Sequence, residues 1–231
     1  DCILLALFVQ ESTLGLAWLN LAAGQLRVME TLPINLASEL ERLQPAEILL
    51  PESLAIESLA EYQTLKRLPI WQFDPDSAVS NLTRQFESHD LSGFGCADLS
   101  IALCAAGALL EYTRLTQGSA AIHITSLQAE RDNIYVRMDA ATRRNLEIDC
   151  NLNGGDEHTL LWVLDKTRTA MGSRLLRRWL NRPLSNRAQL EARHYAIRSL
   201  LHNYQFETLR EILKPVGDME RILARVALRS A

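Results

Sequence analysis

At 231 residues, with 48% hydrophobic and 23% charged side chains, the chain is long enough for two modest domains and has an ordinary globular composition, which excludes intrinsic disorder. The first apolar stretch, Ile3 to Val9, falls far short of the roughly 20 residues of a membrane helix and lacks a basic flank, so neither a signal peptide nor a span is expected. The net charge of −4 hides an asymmetry: residues 1–118 hold 6 Lys+Arg against 15 Asp+Glu, a balance of −9, and residues 119–231 hold 18 against 13, a balance of +5. An acidic surface repels phosphate, so the first half suits protein partners, and any DNA contact belongs to the second. Cysteines at 2, 96, 104 and 150 form no C-x-x-C pair, and no histidine stands at ligand spacing from them, which points to reduced thiols in a cytosolic protein rather than a metal site.

The opening reads as three strands, Cys2 to Val9, Gly15 to Leu21 and Leu26 to Leu32, joined by a polar link around Glu11 to Thr13 and a turn at Ala22-Ala23-Gly24-Gln25. Short turns imply an antiparallel meander. Leu36, Leu40 and Leu43 then recur at helical spacing within Asn35 to Gln44, and Ile48-Leu49-Leu50 makes a strand stopped by Pro51. A short helix over Glu57 to Leu65 and a strand over Ile70 to Phe73 follow, before the turn residues Asp74-Pro75-Asp76. From Asp76 to Phe86, Val79, Leu82 and Phe86 form an apolar stripe, which leaves Ser77, Ser80, Asn81 and Arg84 on the outer face. After Gly93-Phe94-Gly95, Leu99 to Thr116 is an apolar helix whose Ala105-Ala106-Gly107-Ala108 allows close packing against the sheet.

Pattern and charge both change at Gln117-Gly118-Ser119, which sets the expected boundary between an α/β domain, 1–118, and a helical one, 119–231. In the second part Asp139 caps a helix over Ala140 to Ile148, Asn153-Gly154-Gly155-Asp156 is a loop, and helices follow over Thr159 to Leu164 and Met171 to Leu180, the latter ended by Pro183. Ser185 is expected to cap a longer helix in which Leu190, His194, Ile197 and Leu201 share a face. Phe206 to Leu213 and a last helix capped by Asp218 complete the chain. That helix pattern still runs at Ala231, and the first residue is Asp1, so the sequence reads as a piece cut from a longer protein.

Features that resemble chemistry each have a plainer reading. Gly154-Gly155 is followed by no Gly-Lys-Ser/Thr, which leaves a loop rather than a phosphate cradle. A meander leading into alternating helices and strands resembles the RNase H-like fold, whose nucleases hold two metal ions on carboxylates of the first strand; Ile3 to Val9 contains no acid, so a degenerate nuclease remains only as an alternative. Arg174, Arg177 and Arg178 form a basic stripe opposite Leu175, Leu176 and Trp179. It suits DNA phosphate, in which case the second half is a freestanding DNA-binding module, or carboxylates of neighbouring segments, which is preferred.

Particular motifs go further. Met138-Asp139-Ala140-Ala141-Thr142-Arg143-Arg144-Asn145-Leu146-Glu147, then Leu164-Asp165-Lys166-Thr167-Arg168-Thr169-Ala170-Met171-Gly172-Ser173-Arg174-Leu175-Leu176-Arg177-Arg178-Trp179-Leu180 with Pro183-Leu184, and Gly217-Asp218-Met219-Glu220-Arg221-Ile222-Leu223-Ala224-Arg225 resemble the start of the core domain of the MutS mismatch-repair family. Gly93-Phe94-Gly95 and Leu103 to Leu110 resemble the last helix of its connector. The resemblance covers essentially the whole chain. It implies an RNase H-like α/β connector followed by the first part of a helical core, in a bacterial-type, cytoplasmic protein that forms a dimer, binds mismatched double-stranded DNA, binds ATP or ADP with Mg, and recruits MutL. The family's catalytic and mismatch-reading residues map onto no position here, so the chain itself is expected to be no enzyme and to take no cofactor or metal. Its implied role is mechanical and partner-docking, with Ser77, Ser80, Asn81 and Arg84 as part of the MutL surface. Met171, Gly172, Leu175, Leu176, Trp179 and Pro183 are then packing residues, Gly172 at a close helix contact and Pro183 at a turn. A fully buried Trp179 implies a loss of about 3–5 kcal/mol on truncation to alanine.

Overall fold

The computed structural model describes residues 3–21, 23–56, 59, 62, 64–117, 124–131 and 135–227. Two compact units divide the chain, one comprising Asp1–Arg131 with Arg221–Ala231 and the other Asp132–Glu220.

In the first unit the meander is present. Strand β1 (Ile3–Gln10) pairs antiparallel with β2 (Thr13–Asn20) through a two-residue turn at Glu11 and Ser12, and β2 pairs antiparallel with β3 (Gln25–Thr31). Helix α1 (Leu36–Leu43) leads to β4 (Glu47–Pro51), which lies parallel to β1, and β5 (Leu65–Leu68) extends the sheet parallel to β4. A sixth strand, β6 (Ser126–Ala129), runs parallel to β3, so the order is β5-β4-β1-β2-β3-β6. The mixed sheet with helices is the RNase H-like arrangement that the meander suggested, with β6 added at one edge. Both edge strands are four residues long, and Lys66 and Arg67 stand exposed on β5.

Because β1, β2 and β4 are apolar at nearly every position, the sheet buries both faces, and alternation sorts the side chains by size. Leu5, Leu7, Leu16, Trp18, Ile48 and Leu50 face α1, whose Leu36, Leu40 and Leu43 close that layer. On the opposite face Ala6, Ala17, Leu19, Val28 and Leu49 meet α3 (Ser100–Gln117). The smaller side chains let this helix come close. A Cβ on Gly15 would lie 2.5 Å from the carbonyl of Ile101 and 2.6 Å from the nitrogen of Ala102. Glu30, the cross-strand partner of Gly15, accepts hydrogen bonds from the backbone N–H groups of Ile101 (2.8 Å) and Ala102 (3.1 Å), so a strand side chain caps the helix. Helix α2 (Pro75–Gln85) packs on α3 at Gly107, where an added Cβ would come within 2.5 Å of the Ala78 Cβ.

Several expectations are corrected. Ile70–Phe73 forms a 3-10 turn after Pro69, not a strand; Phe73 alone of its apolar residues is buried, stacked on Phe8 with ring centroids 5.3 Å apart, while Ile70 and Trp71 are exposed. Most of the helix read over Glu57 to Leu65 lies outside the described residues, and Leu65 itself opens β5. The link at Gln117 to Ser119 precedes the end of the first unit, because β6 returns to the sheet after it. That end is fastened on two sides. Glu130, 5% exposed at its side chain, meets Arg27 at 2.6 Å and Arg42 at 3.5 Å, and Arg42 also pairs with Glu39 at 2.6 Å and lies over the Trp18 ring. The next residue, Arg131, holds both carboxylate oxygens of Asp98 and the carbonyl of Gly95.

The second unit is helical: α4 (Ala140–Asn145), α5 (Leu160–Leu164), α6 (Ala170–Asn181), α7 (Arg187–Leu201), α8 (Gln205–Leu213), and the start of α9 (Met219–Ala227). Asp139 and Thr159 cap α4 and α5, whereas α7 is capped by Asn186, not Ser185: the Asn186 side chain accepts the Gln189 N–H at 3.0 Å. On the predicted α7 face His194, Ile197 and Leu201 are exposed and Leu190 is half-buried. Among the described residues no helix is long and apolar enough to cross a membrane.

Gly15→Ala should lower stability by about 1–3 kcal/mol, since the new methyl meets helix backbone that moves only by lifting α3 from the sheet. Gly93→Ala, with nothing within 4 Å of the added atom, is the control expected to leave the urea midpoint unchanged.

Candidate functional site

The α2 face begins at its cap. Asp74 accepts the Ser77 N–H at 2.9 Å, and its hydrogen bonds from Ser77 outweigh a small desolvation and hold the Asp74 carboxyl below its ordinary pKa. Pro75 occupies the first turn, where its missing N–H costs nothing. Ala78 and Leu82 are the buried positions, so the face turned away carries Asp76, Ser77, Ser80, Thr83 and Arg84. Of the four residues expected on the outer face, Ser77, Ser80 and Arg84 are exposed and Asn81 is half-buried at its flank. Val79 is corrected: it is 42% exposed, because Ala78 rather than Val79 meets Gly107.

Two further groups shape this face. The Thr83 hydroxyl donates to the carbonyls of Val79 (2.9 Å) and Ser80 (3.1 Å), and Arg84 donates to Asn81 Oδ1 at 2.8 Å. Behind them Arg114 of α3 donates to Gln85 Oε1 at 3.0 Å and lies 3.8 Å from Glu111; burial, and then the Arg84 charge, lower its pKa. Sequence reasoning missed Arg114, which lies 30 positions from Arg84 on a helix read as core. Of the described thiols, Cys96 and Cys104 are buried beside this layer; burial raises both, Cys104 to about 11 with Asp74 contributing, which keeps them protonated. Among the described residues no group of three or more His, Cys, Asp or Glu side chains is placed to hold a metal ion.

In the second unit the motif around Asp165 explains itself as a helix start. Asp165 accepts hydrogen bonds from the Thr167 N–H (3.0 Å), the Thr167 hydroxyl (2.6 Å) and the Ser173 hydroxyl. Burial would raise this carboxyl, but the bonds from Ser173 and Thr167, with the nearby Lys166 charge, outweigh it and hold the pKa down. Thr169 caps α6 by accepting the Gly172 N–H at 3.1 Å. A Cβ on Gly172 would stand 3.1 Å from the Thr169 hydroxyl and 3.3 Å from the Thr167 Cβ, so its close approach is to this loop and not to another helix. The Pro183 carbonyl accepts the Val136 N–H at 2.8 Å, tying the end of α6 to the segment before α4.

The arginine stripe of α6 turns to carboxylates. Arg174 is held bidentately by Asp218 at 2.8 and 2.7 Å and also by Glu220 at 2.7 Å, and these bonds raise its pKa against the opposing effect of burial. Arg177 meets Asp149 at 2.8 Å, and Asp149 also accepts from Asn181 at 2.7 Å. Buried Arg143 in turn donates to the Asn181 carbonyl and side chain. Arg178 is exposed on the same helix. The apolar side is less buried than its sequence suggested: Met171, Leu176 and Pro183 are half-buried, Leu175 is exposed, and Trp179 is 42% exposed with the Arg193 guanidinium 3.8 Å above its ring.

Truncating Trp179 to alanine should therefore cost about 1–2 kcal/mol in this chain, below the value for a fully buried indole, as read from the urea midpoint. For Asp165 the folded pKa is depressed, so the stability it adds is present above the ordinary carboxylate value and is lost as the pH falls through the lowered one. Asp165→Asn should then be less stable than the parent at pH 7, by under about 1 kcal/mol because the site is mostly solvated, and the gap should close below about pH 4 in paired denaturation curves.

Comparison with known families completes the picture. The model of MutS domain II matches residues 2–128, and the model of MutS domain III matches residues 141–231. The first match spans the mixed sheet with α1 to α3, and the second spans the helical segment that holds Asp165, Thr169 and the Arg174–Asp218 pair. The chain belongs to the MutS family of mismatch-repair proteins and carries its domain II, the connector, followed by its domain III, the core.

Proposed function

We propose that this chain is a partner-docking and motion-transmitting part of a mismatch-repair clamp: its connector receives MutL on the outer face of α2, and its core helices relay nucleotide-dependent rearrangement. The observation that carries this reading is the α2 face itself. An exposed helix side with Ser77, Ser80 and Arg84, flanked by half-buried Thr83, shares the helix with exposed Val79 and follows Trp71, which is 68% exposed. Apolar groups among adaptable polar ones are what protein interfaces use.

Charge supports a protein partner there, because the −9 balance of residues 1–118 repels a polyphosphate backbone. In the core, Arg174 and Arg177 lie against carboxylates, which favours a structural part in α6 over direct contact with DNA phosphate. The chain itself performs no catalysis and takes no cofactor. ATP or ADP with Mg, mismatched double-stranded DNA and the second subunit of the dimer are engaged by the complete cytoplasmic protein. Rearrangement on nucleotide binding then needs discrete alternative packings of elements that stay rigid themselves, a requirement that capped and ion-paired helices meet.

A photo-crosslinking side chain placed at Ser80 in the complete natural protein tests the docking face, with Glu191 on α7 as the control position. With ATP, mismatched duplex and MutL present, crosslinks to MutL are expected at position 80 and not at 191. Crosslinks at 191 alone would move the docking face off α2.

A further inference from the structure

We propose that Arg84, backed by Arg114, is the charge-selecting element of the α2 face, and that the protein docking there presents a carboxylate-bearing segment to it. The inference rests on the docking reading above and adds the chemistry of the partner.

Residues 1–118 contain six cations, and most are used inside the unit. Arg27 and Arg42 meet Glu130 and Glu39. Arg67 donates to the carbonyls of Glu52 and Leu54, and Arg114 to Gln85. Lys66 stands on the edge strand β5. Arg84 differs: it is exposed on the outer face of α2, and among the described residues its hydrogen bond goes to the neutral oxygen of Asn81. That bond steadies the guanidinium along the helix and leaves further N–H donors open, since the fork carries five.

Arg114, behind Arg84, is already engaged, donating to Gln85 and standing 3.8 Å from Glu111, and the Arg84 charge works against its protonation; an anion arriving at Arg84 relieves that repulsion. The anion is a protein carboxylate and not a nucleic-acid phosphate for two reasons. The surrounding unit carries a net −9, which repels a polyanion at long range but tolerates one carboxylate on a mixed surface. Val79, exposed on the same helix, offers apolar contact that a phosphate backbone does not use.

The test measures MutL binding by the complete natural protein, with ATP and mismatched duplex present, for the parent and for Ser80→Trp, Arg84→Gln and Arg84→Glu, each first shown to be folded by circular dichroism. Ser80→Trp, a steric block, reads the docking face and should weaken binding at least about tenfold. Arg84→Gln should weaken it severalfold and flatten its dependence on NaCl, and Arg84→Glu should weaken it about tenfold, a change of about 1.4 kcal/mol. A reversed charge, Asp→Lys or Glu→Lys, at one surface position of MutL should restore binding to Arg84→Glu. If Ser80→Trp blocks binding while both Arg84 variants bind as the parent does, the docking face stands and the charge assignment falls. If all three variants bind normally, the docking reading itself falls. If the Arg84 variants lose duplex affinity to the same extent without MutL, the anion is phosphate and the proposal is overturned.

Discussion

The first unit is organised around the approach of the α3 amino terminus to the Gly15–Glu30 pair. Gly15 supplies the space and Glu30 supplies acceptors for two N–H groups that the helix cannot satisfy internally. Cross-strand partners of β2 and β3 thus do complementary work. With α3 seated, its Gly107 receives Ala78, and the rotation of α2 about its own axis is set. The outer face of α2 is therefore fixed by a chain of close contacts that starts in the second strand.

Polar contacts play a different part from this packing. Buried ion pairs gain little net stability, because desolvation offsets much of their attraction, yet leaving one partner alone is costly. Glu130 between Arg27 and Arg42 illustrates the use of such a cluster: it specifies where β6 stops, and Arg131 with Asp98 repeats the fixing on the other side. In the helical unit the same economy appears at helix starts, where Asp165 and Thr169 set the first turn of α6, and Arg174 ties that helix to Asp218 and Glu220.

Much of this was legible in the sequence. Continuous apolar runs gave β1, β2, β4 and α3, the 3.6-residue spacing gave α1, and a cap signal gave α4. What failed did so for identifiable reasons. Ser126–Ala129 contains a single fully buried residue, Leu127, and so has no alternation to betray a strand. Ile70–Phe73 is apolar without being buried, and hydrophobicity alone cannot separate an exposed tryptophan from a core one. Ala78 outranked Val79 as the inward residue because the neighbour at Gly107 admits only a small side chain, and no pattern within α2 contains that fact. Trp179 shares a helical stripe with Leu175 and Leu176, yet it is 42% exposed, with Arg193 over its ring. The arginines of α6 were legible as a stripe; their carboxylate partners at 149, 218 and 220 lie too far away in sequence to be paired by spacing.

The two edges of the sheet determine how the connector tolerates crowding by copies of itself. Each edge is a strand of four residues, too short to template an extended backbone ladder, and β5 adds two exposed cations that would repel an identical edge. Polymerisation through strand addition is thereby discouraged in a domain whose strands β1, β2 and β4 are almost wholly apolar.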